Sequence, residues 1–477
     1  MINTLPYLSY MPAHLIMGGA ILLFFLAKAI PGLRNVSPAG LFIVALLGAF
    51  FAEFRGTGSQ TIFYSMLHLD SYSRLYNQIF FIVTIVVILM VKNNEEIDKS
   101  IEWEMYGLMA TSILGMMMMT SSIHLLMIVI GIELVSIPSY LLVAVNRKLG
   151  AAKEASLKYV LFGSLTTGIM LYGISLIFGL TGTLQLEAMW RGLSASTIIE
   201  SPMFPLAIVM TLAGMAFKIA AVPFHFWCPD AYQAAPTPIT AFLSVAPKVA
   251  GMALIMRFFA QHLQIQSEQL TLIISVISMI TMSLGNIAAL RQTDIKRLLA
   301  YSSIAHAGFL LMGIAVMNDA GRQFVFYYIL VYMIMNLGAF MAVIYVSRAE
   351  NFEINSFAGM ITKKPVLVVA FTVCLFSLAG IPPFAGFIGK FYLFKVVIEK
   401  GLYLLAVVAA VNSVVSLYYY VNVIKVMIIN QSDRPIPDFE GSSFPVAFVT
   451  LCAVPLVVFG LYWVPLLRWS EVVLMFK

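Results

Sequence analysis

Residues 205–227 read PLAIVMTLAGMAFKIAAVPFHFW. The stretch is long enough to cross a bilayer, which takes about 20 apolar residues, yet it contains Lys218 and, five residues later, Pro223. A lysine at mid-membrane costs at least about 2.5 kcal/mol on insertion scales. A proline removes a backbone donor and frees an upstream carbonyl, so water can be held there. The stretch therefore predicts an interrupted membrane helix whose lysine faces the protein interior.

A second interrupted run lies further along the chain. Residues 378–387 read LAGIPPFAGF, and Lys390 follows them. A Pro-Phe pair recurs loosely at 223 and 383, five predicted spans apart. An odd number of spans makes the two units face opposite ways across the membrane. Interrupted helices at corresponding places in inverted repeats mark a transport site.

The composition supports a membrane class for the whole chain. Of 477 residues, 61% are hydrophobic and 10% are charged, whereas a soluble domain is about half apolar and a quarter charged. Soluble and disordered classes are therefore excluded. We predict an all-α polytopic membrane protein with about 14 transmembrane helices of about 20 residues each. The predicted spans are 11–30, 39–54, 72–91, 103–120, 122–145, 155–179, 205–227, 238–260, 269–290, 295–316, 322–346, 365–398, 403–427 and 444–466.

The repeat divides the chain into four predicted segments. They are an N-terminal three-helix segment (1–102), a first five-helix repeat (103–260), a second, inverted repeat (261–427) and a C-terminal span (428–477). Most basic residues that are not assigned to the interior of a span belong to the loops after odd-numbered spans, among them Arg147, Lys148 and Lys296. We call the side with these loops the basic face. The positive-inside rule places the basic face in the cytoplasm and both termini outside. The net charge of +6 is thus explained without a nucleic-acid partner.

The sequence contains no motif for a metal or redox site. The three cysteines, Cys228, Cys374 and Cys452, are far apart and form no CxxC pair. Zinc and iron–sulfur sites need clustered ligands, so we expect neither in this chain. Phosphate-binding loops and catalytic triads are also absent from the sequence.

Four ionisable residues within apolar runs carry the functional interpretation: Glu133, Lys218, Lys248 and Lys390. Each is costly in lipid and must be paired, hydrated or buried in protein. Lys248 follows Pro247, and Lys390 follows the Pro382–Pro383 break. Such groups, placed across the middle of a bundle, favour proton movement over a single binding site. Glu133 also permits a plain interhelical ion pair, with a lysine of span 7 as the expected partner.

Three further residues are candidates with a structural alternative. Lys158 lies near the start of span 6, where a snorkelling or loop-pairing role is equally open. His225 adjoins the first break and His306 lies inside span 10. Histidine can relay protons near neutral pH, but a buried histidine is also often a simple hydrogen-bonding group. Asp230, after the break, reads as a helix cap.

The sequence resembles the antiporter-like membrane subunits of respiratory complex I (NADH:quinone oxidoreductase), in particular the branch termed subunit N. The matching motifs lie between about 110 and 400. They are GIEL (131–134), EASLKY (154–159), FKIAAVPFHFW (217–227), PDAYQ (229–233), DIKRLLAYSSIAH (294–306) and PFAGFIGK (383–390). Lys390 stands where the M branch has glutamate, and no long lateral helix is expected before Lys477.

The resemblance implies discontinuous helices 7 and 12 in two inverted five-helix repeats. It further implies a Glu133–Lys218 pair, a connecting Lys158, a central Lys248 and an exit-side Lys390, with His225 and His306 on a hydrated axis. The implied chain is a translocase subunit of a bacterial inner membrane, without a cofactor of its own. NADH, FMN, iron–sulfur clusters and quinone are expected in partner subunits. Its expected partners are other complex I membrane subunits, including neighbouring antiporter-like subunits, and the lipid bilayer.

Two other functions remain open from the sequence. One is a cation/proton antiporter subunit of a related multi-subunit complex, without electron transfer. The other is a structural scaffold whose buried charges fix the register of the helices. An antiporter subunit is expected to have different partner subunits from a complex I subunit. In a scaffold, mutation of the buried charges is expected to impair assembly without a separate pumping defect.

Overall fold

The computed structural model describes most of the chain. The described residues are 9–29, 36–56, 58–94, 96–146, 149–194, 198, 201–260, 267–346, 352–431 and 443–474. The loop residues Arg147 and Lys148, used above to define the basic face, lie outside these ranges.

Helices account for nearly all of the regular structure. In chain order they are α1 (Pro12–Leu26), α2 (Pro38–Arg55), α3 (Ser71–Lys92), α4 (Glu102–Ser121), α5 (Leu125–Val143), α6 (Gly150–Thr181), α7 (Leu186–Leu193), α8 (Met203–Lys218), α9 (Trp227–Ala234), α10 (Thr237–Ala260), α11 (Glu268–Ala289), α12 (Ile295–Ala315), α13 (Asp319–Val346), α14 (Met360–Lys363), α15 (Pro365–Ala379), α16 (Ala385–Glu399), α17 (Tyr403–Ile428), α18 (Phe444–Leu461) and α19 (Val464–Ser470).

The predicted fold class is confirmed. In the described residues, ten helices are long and apolar enough to cross a membrane, and α1, α8 and α15 are shorter apolar helices. Each predicted span coincides with one helix, or with two half-helices in the case of spans 7 and 12. The division into segments at 102, 260 and 427 stays a prediction.

The two breaks lie where the sequence places them. The first half-helix α8 ends at Lys218 and α9 begins at Trp227, while α15 ends at Ala379 and α16 begins at Ala385. Gly380 closes α15 with a φ of 83°, a conformation that only glycine adopts freely. The Val222–Pro223 and Pro382–Pro383 peptide bonds are cis. Pro223 and Pro383 thus both lie between two half-helices, where the sequence predicts the interruptions.

Burial separates a central group of helices from a peripheral one. Helices α10, α12 and α13 are buried along almost their whole length, whereas at most 39% of the apolar stretch of α2, α6, α17 or α18 is buried. A membrane helix that is covered on all sides can hold polar groups without exposing them to lipid. The central group is therefore where ionisable side chains can be kept.

A small hairpin on the side opposite the basic face was not predicted. Strand β1 (Gln60–Ile62) pairs with β2 (Leu67–Leu69) in antiparallel register. Strands of three residues are too short to show the alternation by which a strand is recognised. The short helix α7 also lay in a predicted loop, and it is anchored by Trp190 Nε1, which donates to the Phe258 carbonyl at 2.7 Å.

A buried ion pair ties the start of α3 to the end of α10. Arg257 Nη2 lies 2.7 Å and 2.9 Å from the two carboxylate oxygens of Asp70, and both side chains are about nine-tenths buried. Burial alone would raise the pKa of the Asp70 carboxyl, but the Arg257 guanidinium holds this pKa below its usual value. Asp70 also caps α3 by accepting from the Ser73 N–H at 2.8 Å.

We predict that Asp70→Asn destabilises the fold, because it leaves the Arg257 charge buried without its partner. Removing one member of a buried pair costs about 3–5 kcal/mol. The matched control is Glu187→Gln, which removes the partner of Arg191 from a pair whose side chains are 60% and 78% exposed. An exposed pair contributes about 0–1 kcal/mol. Thermal denaturation in detergent measures both, and equal losses in the two variants would contradict the prediction.

Candidate functional site

Lys218 ends the first half of broken span 7 and is almost completely buried. Its side chain is 1% exposed, and Nζ donates to Ser136 Oγ of α5 at 3.2 Å. Trp227 Nε1, at the start of α9, reaches back to the Phe217 carbonyl at 3.2 Å. The indole therefore holds the two half-helices together beside the lysine.

Glu133 and Lys218 do not form the direct ion pair that the resemblance implies. Glu133 instead accepts a hydrogen bond from Thr167 Oγ1 of α6 at 2.5 Å. Lys218 binds Ser136, which lies three residues, or about one helical turn, after Glu133. The Glu133 carboxylate remains near enough to attract the Lys218 ammonium electrostatically. The two side chains stay apart because each has its own hydroxyl partner, Thr167 for Glu133 and Ser136 for Lys218.

Lys248 lies at the centre of the bundle on α10. It is 4% exposed, and Nζ donates to Ser303 Oγ of α12 at 2.5 Å. Ser303 Oγ also lies 2.6 Å from Tyr332 OH. A small cavity is lined by Ile219, Lys248, Ser303 and Tyr332, among others. Lys248 therefore has a hydroxyl partner on a neighbouring helix and open space beside it.

His306 extends this polar network one turn further along α12. Its Nδ1 lies 2.7 Å from Tyr328 OH, and its Nε2 lies 3.3 Å from Tyr420 OH. Tyr420 OH also hydrogen-bonds Ser302 Oγ. The two groups of hydroxyls meet where the His306 ring lies against the Tyr332 ring, with the ring centroids 5.3 Å apart.

Lys390 lies beyond the second break, on α16. It is 3% exposed, and Nζ donates to the Ala379 and Leu378 carbonyls at 2.9 Å and 3.2 Å. These are the last carbonyls of α15, and a helix C-terminus favours a cation. Nζ also lies 4.7 Å from the centroid of the Phe309 ring. The break thus provides the acceptors that a buried ammonium needs.

His225 lies in the first break but outside this network. It is 4% exposed, and its ring centroid is 4.4 Å from that of Phe226. In the described ranges no hydrogen bond joins His225 to Lys218, Lys248 or His306. A relay role for His225 stays a prediction without a contact to carry it.

Lys158 is not part of a buried series, and its expected position as a connecting group needs correction. Its side chain is 42% exposed, and Nζ lies 2.8 Å from both Glu154 Oε1 and Asp230 Oδ2. Asp230 also binds Arg297 Nη1 at 2.7 Å. Lys158 lies only nine residues into α6, so its long side chain reaches the basic face. The alternative role for Lys158, an ion pair near the helix end, agrees better with these contacts. Asp230 forms ion pairs with Lys158 and Arg297 and does not cap a helix, in contrast to the prediction.

The structure thus brings Lys248 and His306 to neighbouring hydroxyl groups, and it places Lys218 and Lys390 at the two helix breaks. Sequence reasoning missed the hydroxyl groups that contact Glu133, Lys218, Lys248 and His306. Tyr328 and Tyr332 are four residues apart on α13, a spacing that puts both on one helix face. That spacing was the available signal, although tyrosines in apolar helices are usually read as packing. The hydroxyl groups missed by the sequence reading are those of Ser136, Thr167, Ser302, Ser303, Tyr328, Tyr332 and Tyr420.

The arrangement defines a class of protein. Buried amines, an imidazole and hydroxyl groups can pass protons, because each can both donate and accept when neutral. In the described part of the chain, no three His, Cys, Asp or Glu side chains are grouped to hold a metal ion. Two broken helices and a central polar network are typical of membrane transport proteins with sites at mid-membrane.

Comparison with known proteins agrees with this class. The family profile described as NADH:quinone oxidoreductase/Mrp antiporter, transmembrane, matches residues 122–416. NADH-quinone oxidoreductase subunit N of Anaeromyxobacter sp. (strain Fw109-5) is 39% identical over 464 residues, covering 91% of this chain and 89% of that protein. The chain therefore belongs to the NADH:quinone oxidoreductase/Mrp antiporter family, and the family resemblance of the sequence is confirmed.

Two solved structures share the fold. A chain of respiratory complex I from Thermus thermophilus with bound aureothin has a TM-score of 0.81 and 29% identity, covering 96% of this chain and 98% of that chain. A chain of the Mrp complex from Dietzia sp. DQ12-45-1b has a TM-score of 0.79 and 20% identity, covering 97% and 96%. The second likeness concerns the fold alone.

We predict that Gly386→Ala disrupts the second break. A Cβ at Gly386 would lie 1.8 Å from the Ser377 carbonyl oxygen, so α15 and α16 would have to separate. Overpacking costs typically about 1–3 kcal/mol, and sometimes more. The matched control is Gly179→Ala on exposed α6, where nothing lies within 4 Å. Protein level in membranes and thermal stability should fall only for Gly386→Ala, and equal behaviour of the two variants would contradict the described packing.

Proposed function

We propose that this chain is a proton-translocating membrane subunit of an NADH:quinone oxidoreductase. It contributes to a translocase whose redox steps take place in other subunits. The observation that carries the proposal is the placement of Lys218, Lys248 and Lys390, each at most 4% exposed and each bound to a hydroxyl or carbonyl oxygen. The identity to a subunit N over nine-tenths of the chain supports the same conclusion.

The mechanism depends on the balance of two opposing effects on each lysine. Burial disfavours the ammonium form, and a nearby carboxylate or oxygen acceptor favours it. At Lys218 the balance is adjustable, because Glu133 is held by Thr167 and can alternate between this hydroxyl and the lysine. When Glu133 approaches, the ammonium is favoured; when Glu133 returns to Thr167, Lys218 releases its proton.

The proton released from Lys218 passes towards Lys248. From there, Ser303, Tyr332 and His306 provide groups that can accept and donate on α12 and α13. Lys390 terminates the series at the second break. Gaps between these groups require water, which moves protons by exchanging hydrogen bonds. The two units at 103–260 and 261–427 would then each contribute one broken helix to one path.

The proposal assigns partners, cofactors and location. The neighbouring chains are other membrane subunits of the complex, including further antiporter-like subunits, within a lipid bilayer. NADH, FMN, iron–sulfur clusters and quinone belong to partner subunits. The chain resides in a bacterial inner membrane with the basic face in the cytoplasm and both termini outside.

A cation/proton antiporter subunit is the second candidate. The matching family profile covers Mrp antiporter chains as well as NADH:quinone oxidoreductase chains, which supports this candidate. The Mrp complex chain, at 20% identity, shares the fold alone. The 39% identity to a complex I subunit over 91% of the chain favours the first function. Purification with iron–sulfur subunits would support the first, and purification with small membrane antiporter subunits alone would support the second.

We predict that Lys218→Met and Lys248→Met lower the number of protons moved per electron while the complex still assembles. Methionine fills a similar volume but cannot bind a proton, so the path is cut without opening a cavity. The measurement is proton uptake per NADH oxidised in membrane vesicles. Lys92→Met, at the exposed end of α3, is the matched control and should leave the ratio unchanged.

The outcomes separate the candidate functions. An unchanged ratio in both Lys218→Met and Lys248→Met would contradict proton translocation by this chain. Loss of assembly in both, with a normal ratio in whatever complex remains, would indicate the scaffold function. Lys158→Met should change the ratio less than either, because Lys158 is half-exposed and paired at the basic face.

A further inference from the structure

One buried lysine has no part in the path described so far. Lys296 is the second residue of α12, and the sequence analysis places it with the basic loops. The structure corrects this, because the Lys296 side chain is 1% exposed. Its Nζ donates to the Ala235 carbonyl at 2.6 Å and lies 4.4 Å from the centroid of the Phe352 ring.

The surroundings of Lys296 satisfy its charge only in part. The first turn of a helix disfavours a cation, whereas the Ala235 carbonyl at the end of α9 favours one. An ammonium carries three donors, and the described residues accept one hydrogen bond from it. In the described ranges no carboxylate lies within ion-pair distance of Lys296; Glu96 and Asp294 act on it electrostatically.

Glu96 approaches the same corner from the connection between α3 and α4. Its carboxylate accepts from the Thr237 N–H at 3.0 Å and from Thr237 Oγ1 at 2.8 Å. Thr237 begins α10, and Ala235 is the C-cap residue that follows α9. A carboxylate and a buried ammonium therefore flank the two-residue corner between the second half of span 7 and span 8.

A polar helix face leads inward from this corner. Thr237, Thr240, Ser244 and Lys248 follow one another on α10 at spacings of three and four residues, and each is at most 4% exposed. Residues at these spacings share one face. At 1.5 Å per residue the distance from Thr237 to Lys248 is about 16 Å. Ser303, the partner of Lys248, lies two turns beyond Lys296 on α12.

We propose that Glu96 and Lys296 form a proton-loading site at the basic face that supplies Lys248 along the polar face of α10. The site rests on the proposed function, because it has no task unless Lys248 carries protons. Glu96 takes a proton from the aqueous side. Lys296 releases its own proton inward to the neutral amine of Lys248 and regains one from Glu96, so each cycle moves one proton and leaves the site unchanged.

The competing explanation is that Lys296 and Glu96 merely cap α9 and α10. Arginine separates the two explanations, because it keeps the positive charge and the donor for the Ala235 carbonyl but does not release its proton in proteins. A cap function is therefore preserved in Lys296→Arg, and a loading function is lost. Glu96→Gln likewise keeps an acceptor for Thr237 and loses the titratable group.

The experiment measures protons moved per electron, NADH oxidation and assembly for the intact complex in membrane vesicles. The variants are Lys296→Arg, Lys296→Met and Glu96→Gln, with Lys218→Met as the reference for a broken path. The matched controls are Lys92→Arg and Glu268→Gln, both at exposed helix ends. We expect Lys296→Arg and Glu96→Gln to lower the ratio in complexes that assemble normally, because Lys248 then receives protons from Lys218 alone.

Each other outcome counts against the site. A normal ratio in Lys296→Arg beside a lowered one in Lys218→Met overturns it and leaves the proposed function intact. Failure of Lys296→Arg to assemble also overturns it, because the arginine then acts on structure alone. A normal ratio in Lys218→Met removes the proposed function and the loading site with it.

Discussion

The burial of positively charged amines inside a membrane protein is the constraint on which the rest of this structure depends. Three lysines, Lys218, Lys248 and Lys390, lie where an unpartnered ammonium would be prohibitively costly. None of them has a carboxylate in direct contact among the described residues. Each is held instead by a hydroxyl or carbonyl oxygen, which stabilises the ammonium without fixing its proton as firmly as an ion pair would.

The two broken helices are the means by which the fold meets this constraint. A continuous helix uses its carbonyls internally, whereas a helix end leaves its last carbonyls free. Lys390 takes the free carbonyls of α15, and Lys218 lies at the end of α8 beside the hydroxyl of Ser136. The central helices α10, α12 and α13 then cover these groups from lipid. The helix breaks, the polar side chains and the covering helices therefore act together to stabilise the buried ammonium groups.

The sequence predicts more of the fold than of the contacts. Span positions and both breaks follow from apolar length, proline and glycine, which act locally. Contacts between helices do not follow, because they depend on how each helix is rotated. Glu133 meets Thr167 rather than Lys218 for this reason. The positions of Lys158 and Lys296 were both predicted wrongly. Lys158 lies in a helix, but its side chain reaches the surface. Lys296 was assigned to a loop, but Ala235 and Phe352, which are distant in sequence, cover its side chain.

The proposed function requires protons to move between these lysines through water and hydroxyl groups. The most direct measurement is a map of the assembled complex at a resolution that shows ordered waters between Lys218, Lys248 and Lys390. We expect ordered waters that bridge the three amines through Ser303, Tyr332 and His306. Dry, closely packed apolar contacts between the amines, in a map that resolves water elsewhere in the protein, would contradict it.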